Sequence, residues 1–265
     1  MLVLIRGAGD IATGIALRLW RSGMLVVMTD LPWPTAIRRT VCFSTAITEG
    51  ETAVEGVRAV RAEDAAQARQ VLEQGAIPVL ADPKCRCREA LRPDVLVDAI
   101  LAKRNLGTRI TDAPAVIGVG PGFTAGEDCH AVVETMRGHA MGRVIRQGSA
   151  LPNTGVPGEI GGYGEERVLR APAQGIFRPT AQIGDRVKAG EIVGYVADYP
   201  MVSAIDGILR GILPKGTRVH MGMKSGDVDP RCQKEHCYFV SDKALAVGGG
   251  VLEACLALTG ALVEQ

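Results

Sequence analysis

The stretch Leu2-Val3-Leu4-Ile5-Arg6-Gly7-Ala8-Gly9-Asp10-Ile11-Ala12-Thr13-Gly14 joins an apolar run to two closely spaced glycines and then to a second apolar run. The second run continues through Ile15 and Leu19, with Ala12 and Ala16 alongside. That is helical spacing, with one apolar face. Leu2–Arg6 therefore predicts a strand, Ile11–Trp20 a helix ended by Ser22-Gly23, and Leu25–Met28 a second buried strand closing at Thr29-Asp30. Strand, helix and strand within about 30 residues form a β-α-β unit, and such units build parallel sheets.

The turn inside this unit has the pattern of a phosphate seat. Gly7 permits the tight turn, Gly9 lets backbone approach a phosphate, and Ala12 keeps helix and strand close, with Gly14 following. Amides of Asp10, Ile11 and Ala12 open the helix, where unpaired N–H groups and the helix dipole favour an anion. Asp30 lies 21 positions after Gly9 (30 − 9), where a carboxylate can accept hydrogen bonds from a ribose diol. Asp10 is out of place beside a pyrophosphate, because like charges repel. Either it caps the helix or the ligand is no ordinary dinucleotide. The plain alternative is a glycine-rich turn with no ligand. Arg38 and Arg39 follow the second strand and suit bidentate contact with a phosphate, or form a solvated pair.

Alternation continues beyond this unit. Thr40–Phe43 predicts a short strand, Ala62–Gln74 a helix, and Ile77–Ala81, Val95–Val97 and Ala115–Val119 buried strands. Continuous apolar strands suit a parallel sheet covered on both faces. Asp82-Pro83, Asp98 and Gly120-Pro121-Gly122 each fall at a predicted strand end, with Lys103 and Asn105 just after Asp98. Ligands of doubly wound sheets sit outside the carboxyl ends of strands. Asp98, Lys103, Gly120 and Gly122 therefore join the turn, Asp30, Arg38 and Arg39 as candidate binding positions, with helix capping and loop solvation as the alternative.

Near residue 143 the texture changes. Residues 143–223 are rich in Gly and Pro, with short alternating apolar runs between turn signals. This predicts a small β-barrel or sandwich. Gly184-Asp185-Arg186-Val187-Lys188-Ala189-Gly190 and Gly216-Thr217-Arg218-Val219-His220-Met221-Gly222 echo each other and hint at an internal repeat. Ser241–Thr259 predicts a helix capped by Ser241, with Gly248-Gly249-Gly250 marking a break or a close backbone approach. The expected organisation is a nucleotide-binding α/β domain at 1–142, a β-rich domain at 143–223, and a loop and helix at 224–265 returning to the first domain.

The chain has 265 residues, 47% of them hydrophobic and only 4% aromatic, so any core is aliphatic. A net charge of +1 with no basic tract argues against nucleic acid as a partner. No apolar run approaches the ~20 residues of a membrane span, and the start lacks the basic region of a signal peptide. Cytoplasmic, reduced thiols are expected for the seven cysteines. Cys85-x-Cys87 and Cys232 with His236-Cys237 resemble fragments of metal sites but lack paired C-x-x-C spacing, so ordinary reduced cysteines are expected. His130 and Glu134 are four apart on a predicted helix, a spacing that could begin a metal site or an acid/base pair. Thr124-x-x-Glu127 is instead a capping box, Asp128 suits a first turn, and no three-ligand spacing stands out, so no metal is expected.

At these residues the chain resembles the YqeB family, accessory proteins linked to selenium-dependent molybdenum hydroxylases. The resemblance runs over nearly the whole length. It is carried by Ile5–Gly14, Arg38-Arg39-Thr40-Val41, Asp98–Thr108, Gly120-Pro121-Gly122-Phe123 with His130 and Glu134-Thr135, and Arg137-Gly138-His139. Pro152-Asn153-Thr154-Gly155, Lys224-x-x-Asp227-x-Asp229-Pro230-Arg231 and Ser241-Asp242-Lys243-Ala244 complete it. The residue pattern predicts a Rossmann-like parallel sheet, and the resemblance implies a role in maturing or inserting a molybdenum cofactor, with a molybdenum hydroxylase or another maturation protein as partner. Residues 167–223 also resemble a biotinyl/lipoyl hammerhead through Ala171-Pro172-x-x-Gly175, Gly184-Asp185-x-Val187-x-x-Gly190 and Val202-x-Ala204-x-x-x-Gly207. A carrier presents a modified lysine on its central hairpin, whereas Asp198–Ser203 contains none. The barrel is then a structural or recognition module.

Three functions follow as expectations: a cofactor-maturation protein holding a nucleotide or molybdopterin dinucleotide on the Gly7–Gly14 turn, an NAD(P)-dependent oxidoreductase, or a non-catalytic scaffold. No Ser/Tyr/Lys set or His–Asp pair in the sequence names a hydride-transfer chemistry.

Overall fold

The computed structural model describes residues 1–261. The chain divides into two compact units. The first takes residues 1–34, 42–153 and the segment from Val240 onward; the second takes Thr35–Val41 and Thr154–Phe239.

The first unit follows the predicted β-α-β start: β1 (Leu2–Arg6), α1 (Asp10–Arg21) and β2 (Leu25–Thr29). Then come α2 (Thr45–Glu49), β3 (Glu51–Val54), β4 (Val57–Ala62), α3 (Ala65–Glu73), β5 (Ile77–Leu80), α4 (Arg88–Leu91), β6 (Val95–Asp98) and β7 (Ala115–Val119). Short strands β8 (Thr124–Ala125), β9 (Ala131–Val133), β10 (Val144–Ile145) and β11 (Gly148–Ser149) follow. The last helix, α5 (Asp242–Leu258), belongs to this unit as well.

Nine strands form one mixed sheet in the order β10-β9-β7-β6-β1-β2-β5-β4-β3. The seven from β9 to β4 are parallel, and β10 and β3 pair antiparallel at the two edges. Val3, Leu4, Ile5, Val26, Val27, Met28, Val95 and Ile117 are all fully buried, as strands covered on both faces require. Parallel pairing brings the carboxyl ends of β1, β2, β5, β6 and β7 to one edge of the sheet.

Three local expectations differ from the structure. Thr40–Phe43 is not a strand; Arg39–Val41 makes a single 3-10 turn. The helix expected at Ala62–Gln74 begins only at Ala65, because Asp64 caps it by accepting the Gln67 N–H at 2.9 Å, and Ala62 instead ends β4. Residues 131–133 are a strand rather than part of a helix. The helix predicted at the end is present, capped by the Ser241 hydroxyl, which accepts the Ala244 N–H at 3.1 Å.

Gly248 and Gly250, two of the three glycines inside α5, mark a close approach, while Gly249 faces open space. A Cβ on Gly248 would lie 2.9 Å from the Gly14 carbonyl, and one on Gly250 would lie 2.0 Å from the Gly142 carbonyl. The helix therefore packs backbone to backbone, which a bulkier residue would block.

The second unit is all β with two 3-10 turns, at Arg39–Val41 and Lys234–Cys237. Its strands are β12 (Val168–Arg170), β13 (Gly175–Pro179), β14 (Arg186–Val187), β15 (Ile192–Val196), β16 (Tyr199–Val202), β17 (Gly207–Ile212), β18 (Arg218–Val219) and β19 (Lys224–Asp229). They form two four-stranded antiparallel sheets, β12-β19-β17-β14 and β16-β15-β13-β18. Phe177, Val187, Val193, Leu209, Ile212 and Val219 share its core. The sequence echo has a structural counterpart: β14 and β18 are two-residue edge strands of different sheets, each burying its valine. Buried Asp227 and Asp229 are held by Arg167, Arg210 and Arg231.

Candidate functional site

The sequence places its candidates at strand ends, and the parallel sheet brings most of them to one edge. Gly7 leaves β1 with φ +110°, and a Cβ there would lie 2.8 Å from the Ala99 carbonyl, so only glycine lets the loops after β1 and β6 pass. The Ala8 N–H donates to Asp30 Oδ2 at 2.8 Å, and the Leu31 N–H donates to Asp30 Oδ1 at 2.7 Å. Asp30 thus braces the turn from the end of β2. Burial raises its pKa, while these two backbone donors oppose the shift.

Gly9 is the N-cap of α1 and makes no side-chain cap. A Cβ built on it meets nothing within 4 Å, so space is open over the turn. The first-turn amides, Ile11 and Ala12 among them, have no acceptor one turn back within the helix. Thr13 lies deeper: its hydroxyl donates to the Ala8 carbonyl at 3.3 Å and accepts the Phe43 N–H at 2.9 Å.

Gly14 serves packing. A Cβ there would lie 2.5 Å from Ala244 Cβ. Gly14 faces Ala244, and the next turn of α1, at Arg18, faces Gly248, so α1 and α5 run parallel. Their N-termini, and the positive ends of both helix dipoles, therefore lie at the same edge.

Two lysines stand at that edge. Lys243, in the first turn of α5, is partly buried. Burial lowers its pKa, and the positive charges of Lys103 and Arg137 lower it further, against Glu134 and Asp10. Lys103, on the loop after β6 with φ +65°, is also lowered by desolvation. A second cation beside a partly desolvated ammonium is unfavourable until an anion joins them. Arg137 is already paired with Asp242, at 2.8 and 3.2 Å.

The neighbouring loops fix this edge. Gly120, at φ +78°, leaves room for Thr135, whose Oγ1 would lie 2.8 Å from an added Cβ. Gly122, at φ +111°, passes the Arg104 backbone at 2.6 Å by the same measure. The Asn105 amide group donates to the Thr108 carbonyl at 2.8 Å and to Asp128 at 3.0 Å.

Asp98 is committed to the scaffold. Its Oδ2 accepts Arg6 at 3.2 Å and the Thr108 hydroxyl at 2.6 Å, and its Oδ1 accepts the Ile100 N–H at 3.2 Å. Arg38 and Arg39 belong to the second unit. There Arg38 donates to the carbonyls of His236 and Phe239 at 3.0 and 2.9 Å, and Arg39 to that of Ile212 at 3.0 Å.

His130 and Glu134 flank β9 and have separate structural partners. His130 Nδ1 accepts the Val116 N–H at 3.0 Å. Glu134, 2% exposed, accepts the N–H groups of Thr135 and Met136 at 2.7 Å each and that of Leu151 at 2.8 Å. Among the described residues no three of His, Cys, Asp and Glu gather within metal-binding range. Sequence reasoning left Lys243 out of the candidate positions; the signal available for it was the Ser241-Asp242-Lys243-Ala244 motif.

The fold and this edge define a mixed α/β protein with an amide-lined turn, flanked by charges of both signs, at the carboxyl ends of a parallel sheet. No family model matches the chain. It is 51% identical over 257 residues to "Uncharacterized protein YqeB" of Escherichia coli (strain K12), an alignment covering 97% of this chain and 48% of that protein. The chain thus spans about half the length of the curated relative it matches. Among solved structures, a succinylglutamate desuccinylase/aspartoacylase from Rhodobacter sphaeroides aligns at 28% identity over 24% of this chain and 21% of its own, with a TM-score of 0.22. An aspartoacylase family protein from Mesorhizobium loti aligns at 11% identity over 86% and 84%, with a TM-score of 0.28. No helix among the described residues is long and apolar enough to cross a membrane.

Proposed function

We propose that the first unit binds a phosphate-bearing nucleotide over the Gly7–Gly14 turn, as an accessory protein in maturing or inserting a molybdenum cofactor. The observation that carries the binding is the meeting of two parallel helix N-termini, with Lys243 close enough to feel the charges of Lys103 and Asp10, and open space at Gly9. An anion there gains amide hydrogen bonds, two dipoles and two ammonium groups, against the repulsion of Asp10. Asp30 has lone pairs left after its two backbone donors, and these suit a ribose diol. The parallel order β6-β1-β2 around the turn supports a Rossmann-like assignment for this sheet. Molybdopterin dinucleotide and NAD(P) both carry the pyrophosphate and ribose that such a turn recognises.

The cofactor-maturation role rests on the YqeB resemblance, which names a pathway more than a reaction. A molybdenum hydroxylase or another maturation protein is the partner it implies. The hammerhead-like motifs and paired edge strands of the second unit support a recognition module without a swinging arm.

Thermal unfolding of the full chain with NAD, NADP, ATP, CTP, GTP and a molybdopterin dinucleotide tests the binding. A bound ligand at about 100 times its Kd adds about 2.7 kcal/mol of stability. A rise in Tm with at least one of these ligands is expected. No rise with any of them would remove the proposal.

A further inference from the structure

Lys84-Cys85-Arg86-Cys87-Arg88 alternates three cations with two cysteines in the loop after β5. The Cys85 N–H donates to the Asp82 carbonyl at 3.0 Å, and the Cys87 N–H to Asp82 Oδ2 at 2.8 Å, so one residue pins both. Cys85 is held at φ +53°, a left-handed conformation that costs energy for a residue with a Cβ and concentrates at functional sites. The two thiols are neighbours that interact electrostatically. The hydroxyl of Thr29 is fully buried and has no hydrogen-bond partner among the described residues.

Cys85 also lines a cavity of about 230 Å³ with Arg6, Lys84, Arg88, Thr108 and Asp112. Arg6 is committed to Asp98, and Arg88 lies 3.4 Å from Asp112. Lys84 is exposed and makes no ion pair among the described residues, so it remains for an incoming anion. Cys85 itself is only 2% exposed, and what reaches it must enter the cavity.

We infer that Cys85 is the attacking nucleophile and Cys87 its resolving thiol, in exchange with a small disulfide that carries an anionic group. The Cys85 sulfur attacks one sulfur of R–S–S–R; the old S–S bond breaks, a mixed Cys85–S–S–R bond forms, and R–S⁻ leaves with the electron pair. The Cys87 sulfur then attacks the Cys85 sulfur and yields its proton to the second departing R–S⁻. Two protein thiols are oxidised to one disulfide, and the small disulfide is reduced to two thiols. A bridge between residues two apart closes a tight ring, and strained bridges are readily reduced again.

The protonation of the pair fits these roles. The neighbouring Cys87 thiol lowers the Cys85 pKa, while the Cys85 side chain and burial hold Cys87 protonated. Burial pushes Cys129 up to about 11 and Cys255 up to about 12, and raises Cys237 as well.

The test uses the full reduced chain, 3,3′-dithiodipropionate as the anionic disulfide and cystamine as the cationic one, with acid quenching and peptide mass analysis. Cys85 is expected to react first, with the anionic reagent faster by about tenfold, and the product is a Cys85–Cys87 bridge lacking two hydrogens. Cys87→Ser should trap the mixed disulfide on Cys85. Lys84→Glu, at an exposed position, should erase the preference for the anion without disturbing the fold. Reaction at Cys85 no faster than at Cys232, or equal rates for the two reagents in the unaltered chain, would overturn the inference.

Discussion

The Ala8 amide donates to Asp30 Oδ2 at 2.8 Å, so the end of β2 holds the turn that leaves β1. Asp30 therefore has a structural task before any ligand arrives. Asp30→Ala is expected to destabilise the first unit by about 1–3 kcal/mol, the cost of an amide left without its acceptor. Beyond that loss, it should weaken nucleotides more than inorganic phosphate, because only nucleotides carry a ribose diol. Urea unfolding and calorimetric titration separate the two effects. Equal weakening of both ligand types would remove the ribose role.

Gly9 and Gly14 should respond in opposite ways. Gly9 has φ −76° and open space around an added Cβ, so Gly9→Val is expected to keep the fold and block the ligand. Gly14→Ala puts a methyl 2.5 Å from Ala244 Cβ and should destabilise the unit by about 1–3 kcal/mol through overpacking. Chemical unfolding of both variants, followed by ligand titration of Gly9→Val, checks the contrast. A Gly9→Val chain that binds as tightly as the parent would contradict it.

Burial disfavours the charged form of both Lys103 and Lys243, and the charge of Lys103 lowers Lys243 further. Replacing Lys103 with Met is expected to raise the Lys243 pKa, since a like charge is removed. NMR titration of the lysine side chains reads this directly, and an unmoved Lys243 would show that the two are not neighbours in solution. Each Lys→Met change should also cost about 1.5–3 kcal/mol of affinity for a phosphate ligand, the value of one charged hydrogen bond.

In the second unit, burial of Asp229 works to raise its pKa, but hydrogen bonds from Arg231 and the charge of Arg210 prevail and pull it from 3.8 to about 2. A carboxylate with a depressed folded-state pKa contributes stability that is present above the unfolded value and lost as pH falls toward the folded one. Stability should therefore drop between about pH 4 and pH 2. Asp229→Asn should flatten that limb while lowering stability at neutral pH. Unfolding midpoints across this range decide the matter; an unchanged acid limb would show that Asp229 does not govern it.

Much of the first unit was legible because its periodicities are strong. Leu2–Arg6, Ile11–Leu19 and Leu25–Met28 leave little choice between strand and helix. Thr40–Phe43 misled because Val41 and Phe43 are buried and apolar, as in a strand, while the Thr40 hydroxyl and the Arg39 guanidinium tie that segment to the carbonyls of Cys237 and Ile212. His130 and Glu134 misled because a spacing of four puts residues on one face of a strand as well as of a helix. The hairpin at Glu55-Gly56, with φ of 47° and 80°, had a turn signal in Gly56 that the apolar pattern alone does not weigh. Lys243 could not be placed from sequence, since its position depends on α5 returning along α1 through contacts at Gly14 and Gly248.

The central claim is that an anion sits on the opening of α1 between Lys103 and Lys243. Amide NMR of the full chain, titrated with whichever nucleotide raises Tm most, tests it most directly. Saturable shifts of the Gly9, Ile11 and Ala12 amides, with the Lys103 and Lys243 side-chain signals moving in step, are the predicted result. Shifts confined to other parts of the chain, with these five groups unmoved, would contradict it.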